Sequence, residues 1–291
     1  MPANAVRESG GQSSGGLRRL SIRIARFVTG AHAEPSAQPD AEIPAGGARL
    51  AGMDVEHQIA RVRRDGEALA LAAAAGPLDA RVPGCPEWDV EQLVRHIGDV
   101  HRWAGMIVRD RLPTRLQRDF QGPAGRDELI AWYREGCAAL IDALENTSTD
   151  DDFWFWGPAP NALGFWARRQ ANETAVHRCD AEAARGAIGA LTTTEAVDAI
   201  DEWFGLAQRR ASAPDGHGRI LRLAATDADA SWSLIVGERF ELTSDRGRGH
   251  CELRGAASDL YLWTMNRRGT ERIMVTGDTD LLKVWADNVR F

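Results

Sequence analysis

Apolar residues recur at intervals of three and four residues through the first half of the chain, starting at Met53. This spacing places the apolar side chains on one face of a helix. The second series begins at Asp89, which with Gln92 three residues later resembles a capping box. Taken in order, the series predict helices over residues 53–75, 89–110, 126–146, 166–184 and 192–207. Four to five helices with short connections predict an up-and-down bundle over residues 53–212.

The pattern changes after the turn-rich linker at residues 213–218. Short alternating runs and a Gly237-Glu238 turn there predict strands and a hairpin. The expected strands cover residues 220–225, 231–244, 250–254 and 272–276, with helices at 256–263 and 281–288, the last capped by Asp278. Residues 213–291 are therefore predicted to form a small α+β domain.

Residues 1–52 differ from the rest, because Gly, Ser, Pro and Ala dominate and only one short run is periodic. That run carries several arginines on its polar side, so a membrane-surface helix is one interpretation. We favour a disordered or extraneous extension, with Met53 as the functional beginning, since a regular pattern starts there.

Composition excludes several functional classes. The net charge of −7 and pI near 5.6 do not supply the basic face of a general nucleic-acid binder. No stretch is apolar for long enough to cross a membrane. The four cysteines lie far apart without a CxxC motif, which excludes a cysteine-based zinc finger and predicts structural thiols in a reduced, cytoplasmic setting.

A stripe of polar residues interrupts the helix predicted at 166–184. At 100° per residue one narrow face carries Trp166, Gln170, Glu173, His177 and Asp180. Glu173 and His177, four residues apart, stand above one another and could bind one metal ion. An isolated pair of this kind is also a common surface feature, so a metal site needs ligands from elsewhere in the chain.

The helix at 89–110 offers two histidines on its inward side. His101 lies at the centre of the apolar face, and His96 lies on its flank beside Trp103. Either could be a third ligand or a hydrogen-bonded core histidine, and helical spacing does not choose between them. Three protein ligands would leave one coordination position open, as in catalytic zinc sites. Asp180 could hold a ligand imidazole by a hydrogen bond or pair with an arginine at the surface.

Two stretches resemble the mycothiol-dependent maleylpyruvate isomerase family, part of the DinB/YfiT-like metal-binding superfamily. They are CPEWDVEQLVRHIGDVHRWA (residues 85–104) and the segment 167–186, which contains ETAVHR followed by DAE. The resemblance implies a DinB-like helical bundle followed by a domain like the sterol-carrier fold. It also implies zinc as the metal and His96, Glu173 and His177 as its ligands, which makes His101 a pocket or packing residue.

The resemblance further implies mycothiol as the thiol cofactor and a small electrophilic or unsaturated acid as substrate. In such an isomerase the thiolate adds to the cis double bond of maleylpyruvate, the new single bond rotates, and sulfur leaves to give fumarylpyruvate. Arg267, Arg268 and Arg272 are candidates for binding the substrate carboxylates, although we favour a solvated arginine over a substrate-binding role for each. The alternatives are a mycothiol S-transferase and a metal-containing binding protein without catalytic activity.

Overall fold

A computed structural model describes residues 53–210, 212–244 and 247–289 of the chain, so the prediction for residues 1–52 lies outside the described residues. Within them, five α-helices and a short 3-10 helix (Pro214–Gly216) precede the sheet. Their bounds are α1 Val55–Ala74, α2 Val90–Arg109, α3 Arg126–Glu145, α4 Ala162–Ala183 and α5 Thr193–Arg210. The predicted helices are confirmed, with α4 beginning four residues earlier than its apolar pattern indicated. Asn161 sets that start, because its side chain accepts a hydrogen bond from the Gly164 amide at 2.7 Å.

The helix α2 begins with the capping box that its sequence predicts. Asp89 Oδ1 accepts from the Gln92 amide at 2.8 Å, and Gln92 Oε1 accepts from the Asp89 amide at 3.0 Å. Both contacts satisfy amides that have no partner within the helix. The box thereby fixes the first turn of the helix that carries His96.

Asp89→Ala is expected to lower the free energy of unfolding by about 1 kcal/mol, the usual contribution of an N-cap side chain. Chemical denaturation of the variant and the wild type measures the difference. Asp89→Asn keeps an oxygen that can accept the Gln92 amide, so it should lose much less. Equal loss in both variants would show that the cap hydrogen bond is not the source of the effect.

Helix α4 lies at the centre of the bundle and packs against α1, α2 and α3. Nearly every residue from Phe165 to Ala181 is buried, including charged and amide side chains. Buried polar groups are costly without partners, so these residues need contacts on the neighbouring helices. Arg61 of α1 supplies one of them by donating to Asn172 Oδ1 at 2.9 Å. The central helix is thus tied to its neighbours by polar contacts as well as by apolar packing.

The second half of the described chain forms one five-stranded mixed sheet in the order β3-β2-β1-β4-β5. The strands are β1 Arg219–Ala225, β2 Ser231–Val236, β3 Glu241–Thr243, β4 Cys251–Gly255 and β5 Met274–Gly277. The central pair β1 and β4 is parallel, and the other pairs are antiparallel. Helix α6 (Ala257–Thr264) follows β4, and α7 (Asp280–Asn288) follows β5. The α+β arrangement predicted for this half is confirmed.

One predicted cap in this half is wrong. Thr279, not Asp278, occupies the N-cap position of α7, and its side chain makes no capping hydrogen bond. Asp278 instead accepts from the Asp280 amide at 3.1 Å and forms an ion pair with Arg219 at 2.6 Å. The strand pairing that brings Arg219 and Asp278 together is not visible in the local sequence.

Helix α5 connects the bundle to the sheet. Asp201 accepts a hydrogen bond from Trp232 Nε1 of β2 at 2.8 Å, and the rings of Phe204 and Trp232 lie 6.5 Å apart. A bundle followed by a small α+β region confirms the predicted fold class, while the domain boundaries at 212 and 213 stay a prediction. No helix in the described ranges is both long and apolar enough to cross a membrane.

Candidate metal centre

Three side chains from two helices converge in the bundle: His96 from α2, and Glu173 and His177 from α4. One potential ligand atom from each lies within 4.8 Å of the others. Glu173 Oε1 is 3.5 Å from Nε2 of His96 and 3.5 Å from Nε2 of His177. The two imidazole nitrogens and one carboxylate oxygen are therefore close enough together to bind one metal ion.

Trp88 holds the two imidazoles in place from the segment before α2. Its ring centroid lies 4.7 Å from that of His96 and 5.9 Å from that of His177, and the two imidazoles lie 5.1 Å apart. The neighbouring aromatic face restricts the rotamers of both rings, so their nitrogens point toward Glu173 without a large entropy cost on binding.

The two carboxylate oxygens of Glu173 have different surroundings. Oε2 accepts from Arg169 Nη2 at 3.0 Å, whereas Oε1 is buried and has no hydrogen-bond partner among the described residues. An unpaired buried carboxylate oxygen is costly. A divalent cation between Oε1 and the two imidazoles would satisfy it, and two nitrogens with one oxygen are ligands typical of zinc. The residues present thus fit the metal that the sequence resemblance implies.

Burial and neighbouring charges set the protonation of these groups. Burial lowers the pKa of His96 to about 4, so this imidazole is neutral at neutral pH, as a metal ligand must be. Burial would raise the pKa of Glu173, but the two imidazoles and Arg169 outweigh it and hold that pKa well below its usual range. Glu173 is therefore a carboxylate at neutral pH.

Asp180 connects the centre to the sheet half of the chain. Its Oδ2 lies 2.9 Å from His177 Nδ1, and Arg267 binds both of its oxygens at 2.9 Å. Burial would raise the pKa of Asp180, but Arg267 and His177 outweigh it and hold the pKa below its ordinary value. A carboxylate accepting from Nδ1–H leaves Nε2 of His177 as the nitrogen available to a metal. The role of Asp180 stays a prediction that this contact supports.

His101 lies away from the three converging side chains. It is fully buried, its Nε2 lies 2.9 Å from Thr174 Oγ1, and its ring is 5.6 Å from that of Tyr133. Trp103 donates from Nε1 to the Leu116 carbonyl at 2.8 Å. The structure therefore brings His96, and not His101, to Glu173 and His177, and it gives His101 a packing environment.

The arginines considered for substrate binding have different positions. Arg267 is buried against Asp180, and the Arg268 side chain is hydrogen-bonded to Asp259. Arg272 is exposed in the turn before β5. Substrate binding by these three residues stays a prediction, and the described contacts direct two of the three guanidinium groups toward carboxylates of the protein.

Sequence reasoning missed one polar contact of Glu173. Arg169 bridges Glu173 to Glu202 of α5, donating to Glu202 Oε2 at 2.7 Å, and Asn172 donates to the same oxygen at 2.9 Å. The contact between Arg169 and Glu173 could have been predicted from the sequence, since the two residues are four apart on one helix. Glu202 could not be found in this way, because its approach depends on how α5 packs against α4.

The helical part of the chain matches a known family. Residues 55–182, which contain all three converging side chains, match the mycothiol maleylpyruvate isomerase N-terminal domain. The match covers less than half of the 291-residue chain. It extends from the start of α1 almost to the end of α4. No curated protein sequence matches the chain.

Two solved structures of one enzyme show a similar fold over more of the chain. A crystal structure of the mycothiol-dependent maleylpyruvate isomerase covers 78% of this chain and 96% of its own, at 13% identity and a TM-score of 0.53. A mutant of that enzyme matches at 12% identity with the same coverage and TM-score. A UbiJ-SCP2 ubiquinone synthesis protein covers 31% of this chain and 90% of its own, at 16% identity and a TM-score of 0.26. The likeness to the isomerase supports a shared fold beyond the family domain.

Proposed function

We propose that this protein is a zinc- and mycothiol-dependent cis–trans isomerase acting on maleylpyruvate or a closely related unsaturated acid. The observation that carries the proposal is the convergence of His96, Glu173 and His177, with Glu173 Oε1 buried and unpaired, inside a domain of the isomerase family. Three protein ligands leave a coordination position for a thiol or water, which distinguishes a catalytic site from a closed structural one.

Isomerisation about a double bond needs a nucleophile that adds and then leaves. When bound at this position, a divalent cation lowers the pKa of an adjacent thiol and so supplies the thiolate at neutral pH. Mycothiol bound there would supply a nucleophile that can add to the double bond of the substrate and leave again, so that the bond could rotate and re-form as the trans isomer. The thiol is regenerated, so no mycothiol is consumed overall.

The contributions of this chain are binding and orientation. Asp180 fixes the His177 ring through Nδ1, and Arg267 in turn holds Asp180. Arg169 occupies Oε2 of Glu173, which leaves Oε1 directed at the imidazoles. These contacts preorganise the ligands, and such support is usually worth about 10–100-fold in metal affinity.

The cysteines of the chain are poorly placed to be the nucleophile. The Cys85 thiol contacts Asp180 Oδ2 at 3.7 Å and Arg267 Nη2 at 3.1 Å, and burial raises its pKa to about 12. It is therefore a thiol at neutral pH.

Cys85→Ser is expected to retain most of the mycothiol-dependent turnover, measured under saturating substrate. Loss of turnover with normal zinc content would instead make Cys85 part of the reaction.

The test of the proposed function is an assay of the zinc-loaded protein with maleylpyruvate and mycothiol. We expect formation of fumarylpyruvate, followed by its absorbance or by chromatography, with the free thiol constant throughout. Loss of one thiol per turnover, with a thioether product, would indicate the S-transferase. Stoichiometric zinc without reaction toward maleylpyruvate and a panel of electrophiles would indicate a metal-containing binding protein.

A further inference from the structure

The loop between α2 and α3 is bound along the face of α2 that carries His96. The Phe120 amide donates to Asp99 Oδ1 at 3.0 Å, and Trp103 Nε1 donates to the Leu116 carbonyl at 2.8 Å. Asp99 and Trp103 follow His96 by three and seven residues, so the three side chains lie on one side of the helix. The loop is thereby held next to the candidate metal centre.

Arg118 projects from this loop onto α2. Its Nε lies 2.8 Å from Asp99 Oδ2, and its side chain is 12% exposed. Its Nη1 atom is buried and has no hydrogen-bond partner among the residues that the structure describes. A buried guanidinium N–H without an acceptor is costly, and its natural partner is an anion.

A second unpaired polar atom lies on the opposite helix in the same region. The His96 and His177 rings approach to 5.1 Å at one end of the contact between α2 and α4, and those of Trp103 and Trp166 approach to 5.2 Å at the other. Gln170 lies between His177 and Trp166 on α4, is 1% exposed, and has an Oε1 atom without a partner in the described ranges. Gln170 of α4 and Arg118 of the loop bound to α2 thus each carry a buried polar atom without a partner among the described residues.

We propose that Arg118 binds a carboxylate of the substrate next to the metal ligands. The identity of the substrate as an unsaturated acid rests on the proposed function, whereas the anion site rests on the position of Arg118. Asp99 pairs with the Nε side of the guanidinium and orients it, which leaves the buried Nη1 donor for a carboxylate oxygen in the charge-assisted contact that arginine favours.

This assignment differs from the arginines that the sequence suggested. Arg267 and Arg268 face Asp180 and Asp259, which are carboxylates of the protein. Arg118 also faces a carboxylate, but it retains a buried donor without a partner among the described residues. That donor is the reason to place the substrate carboxylate at Arg118.

The test is calorimetric titration of the zinc-loaded protein with maleate, a dicarboxylate that needs no thiol or turnover to bind. Arg118→Gln is expected to weaken maleate binding by about 10- to 100-fold, as loss of a charge-assisted contact does. In the assay with maleylpyruvate the same variant should raise KM more than it lowers kcat. Arg115→Gln is the matched control, because Arg115 lies in the same loop with an exposed side chain, and it should bind maleate like the wild type.

Zinc content and melting temperature are measured in each variant to separate ligand binding from folding. Arg118→Lys retains the positive charge but lacks the planar guanidinium group. If Arg118→Gln is unstable, this variant tests the proposal instead, and its affinity for maleate should lie between those expected for the wild type and for Arg118→Gln. Maleate binding that is absent in the wild type, or unchanged in both folded Arg118 variants, would overturn the proposal. If the wild type binds maleate through Arg118 but does not isomerise maleylpyruvate, the proposed reaction fails and the anion site stands.

Discussion

His96→Ala is expected to strip zinc from the protein, whereas His101→Ala retains it. Both histidines lie on the inner side of α2, but only the His96 ring approaches Glu173 and His177. Losing one of three ligands should lower zinc affinity by more than the roughly 10–100-fold that accompanies loss of a residue supporting a ligand. Elemental analysis after dialysis against a zinc buffer measures the bound metal per chain, and isomerase turnover should fall with it.

His101→Ala provides the matched control. It removes a fully buried imidazole and its contact with Thr174, so the free energy of unfolding should fall by about 1–3 kcal/mol. Zinc stoichiometry should nevertheless equal that of the wild type. If the His96 variant keeps its zinc while the His101 variant loses it, the ligand assignment made from the geometry is wrong.

The choice between these histidines shows what helical periodicity can predict. Spacing along α2 correctly turns both side chains inward, because the face of a helix follows from its own sequence. Which of them meets Glu173 depends on how far α2 is shifted along α4. That shift is set by packing at both ends of the contact, such as Trp103 against Trp166. At the level of the sequence, only the family resemblance distinguishes His96 from His101 as the ligand.

Contacts within one helix could be predicted, and those across the chain could not. The spacing of Glu173, His177 and Asp180 placed all three on one stripe, and they meet in the structure. Arg267 lies 87 residues from Asp180, so no local pattern links the two. Arg118 was likewise invisible, since it lies in a loop whose path depends on acceptors along α2.

Arg267→Met is expected to have the largest effect on stability of any single substitution near the centre. Asp180 is 0% exposed and Arg267 is 3% exposed, so the variant would leave Asp180 buried without its guanidinium partner. Breaking a buried pair in this way commonly costs about 3–5 kcal/mol. Because Asp180 Oδ2 lies 2.9 Å from His177 Nδ1 and we propose that it orients this ring, zinc affinity should fall by about 10- to 100-fold. Thermal unfolding of the metal-free protein and competitive zinc titration measure the two effects separately.

A double variant distinguishes loss of charge balance from loss of ligand orientation. Asp180→Asn combined with Arg267→Met removes both charges, so much of the stability lost in Arg267→Met should return. Zinc affinity should remain low, because a neutral amide is a weaker partner for the His177 imidazole than a carboxylate. Arg268→Met is the control, since its partner Asp259 is more exposed and does not contact a candidate ligand. If zinc affinity recovers along with stability in the double variant, Arg267 supports the fold alone and the orientation of His177 does not depend on it.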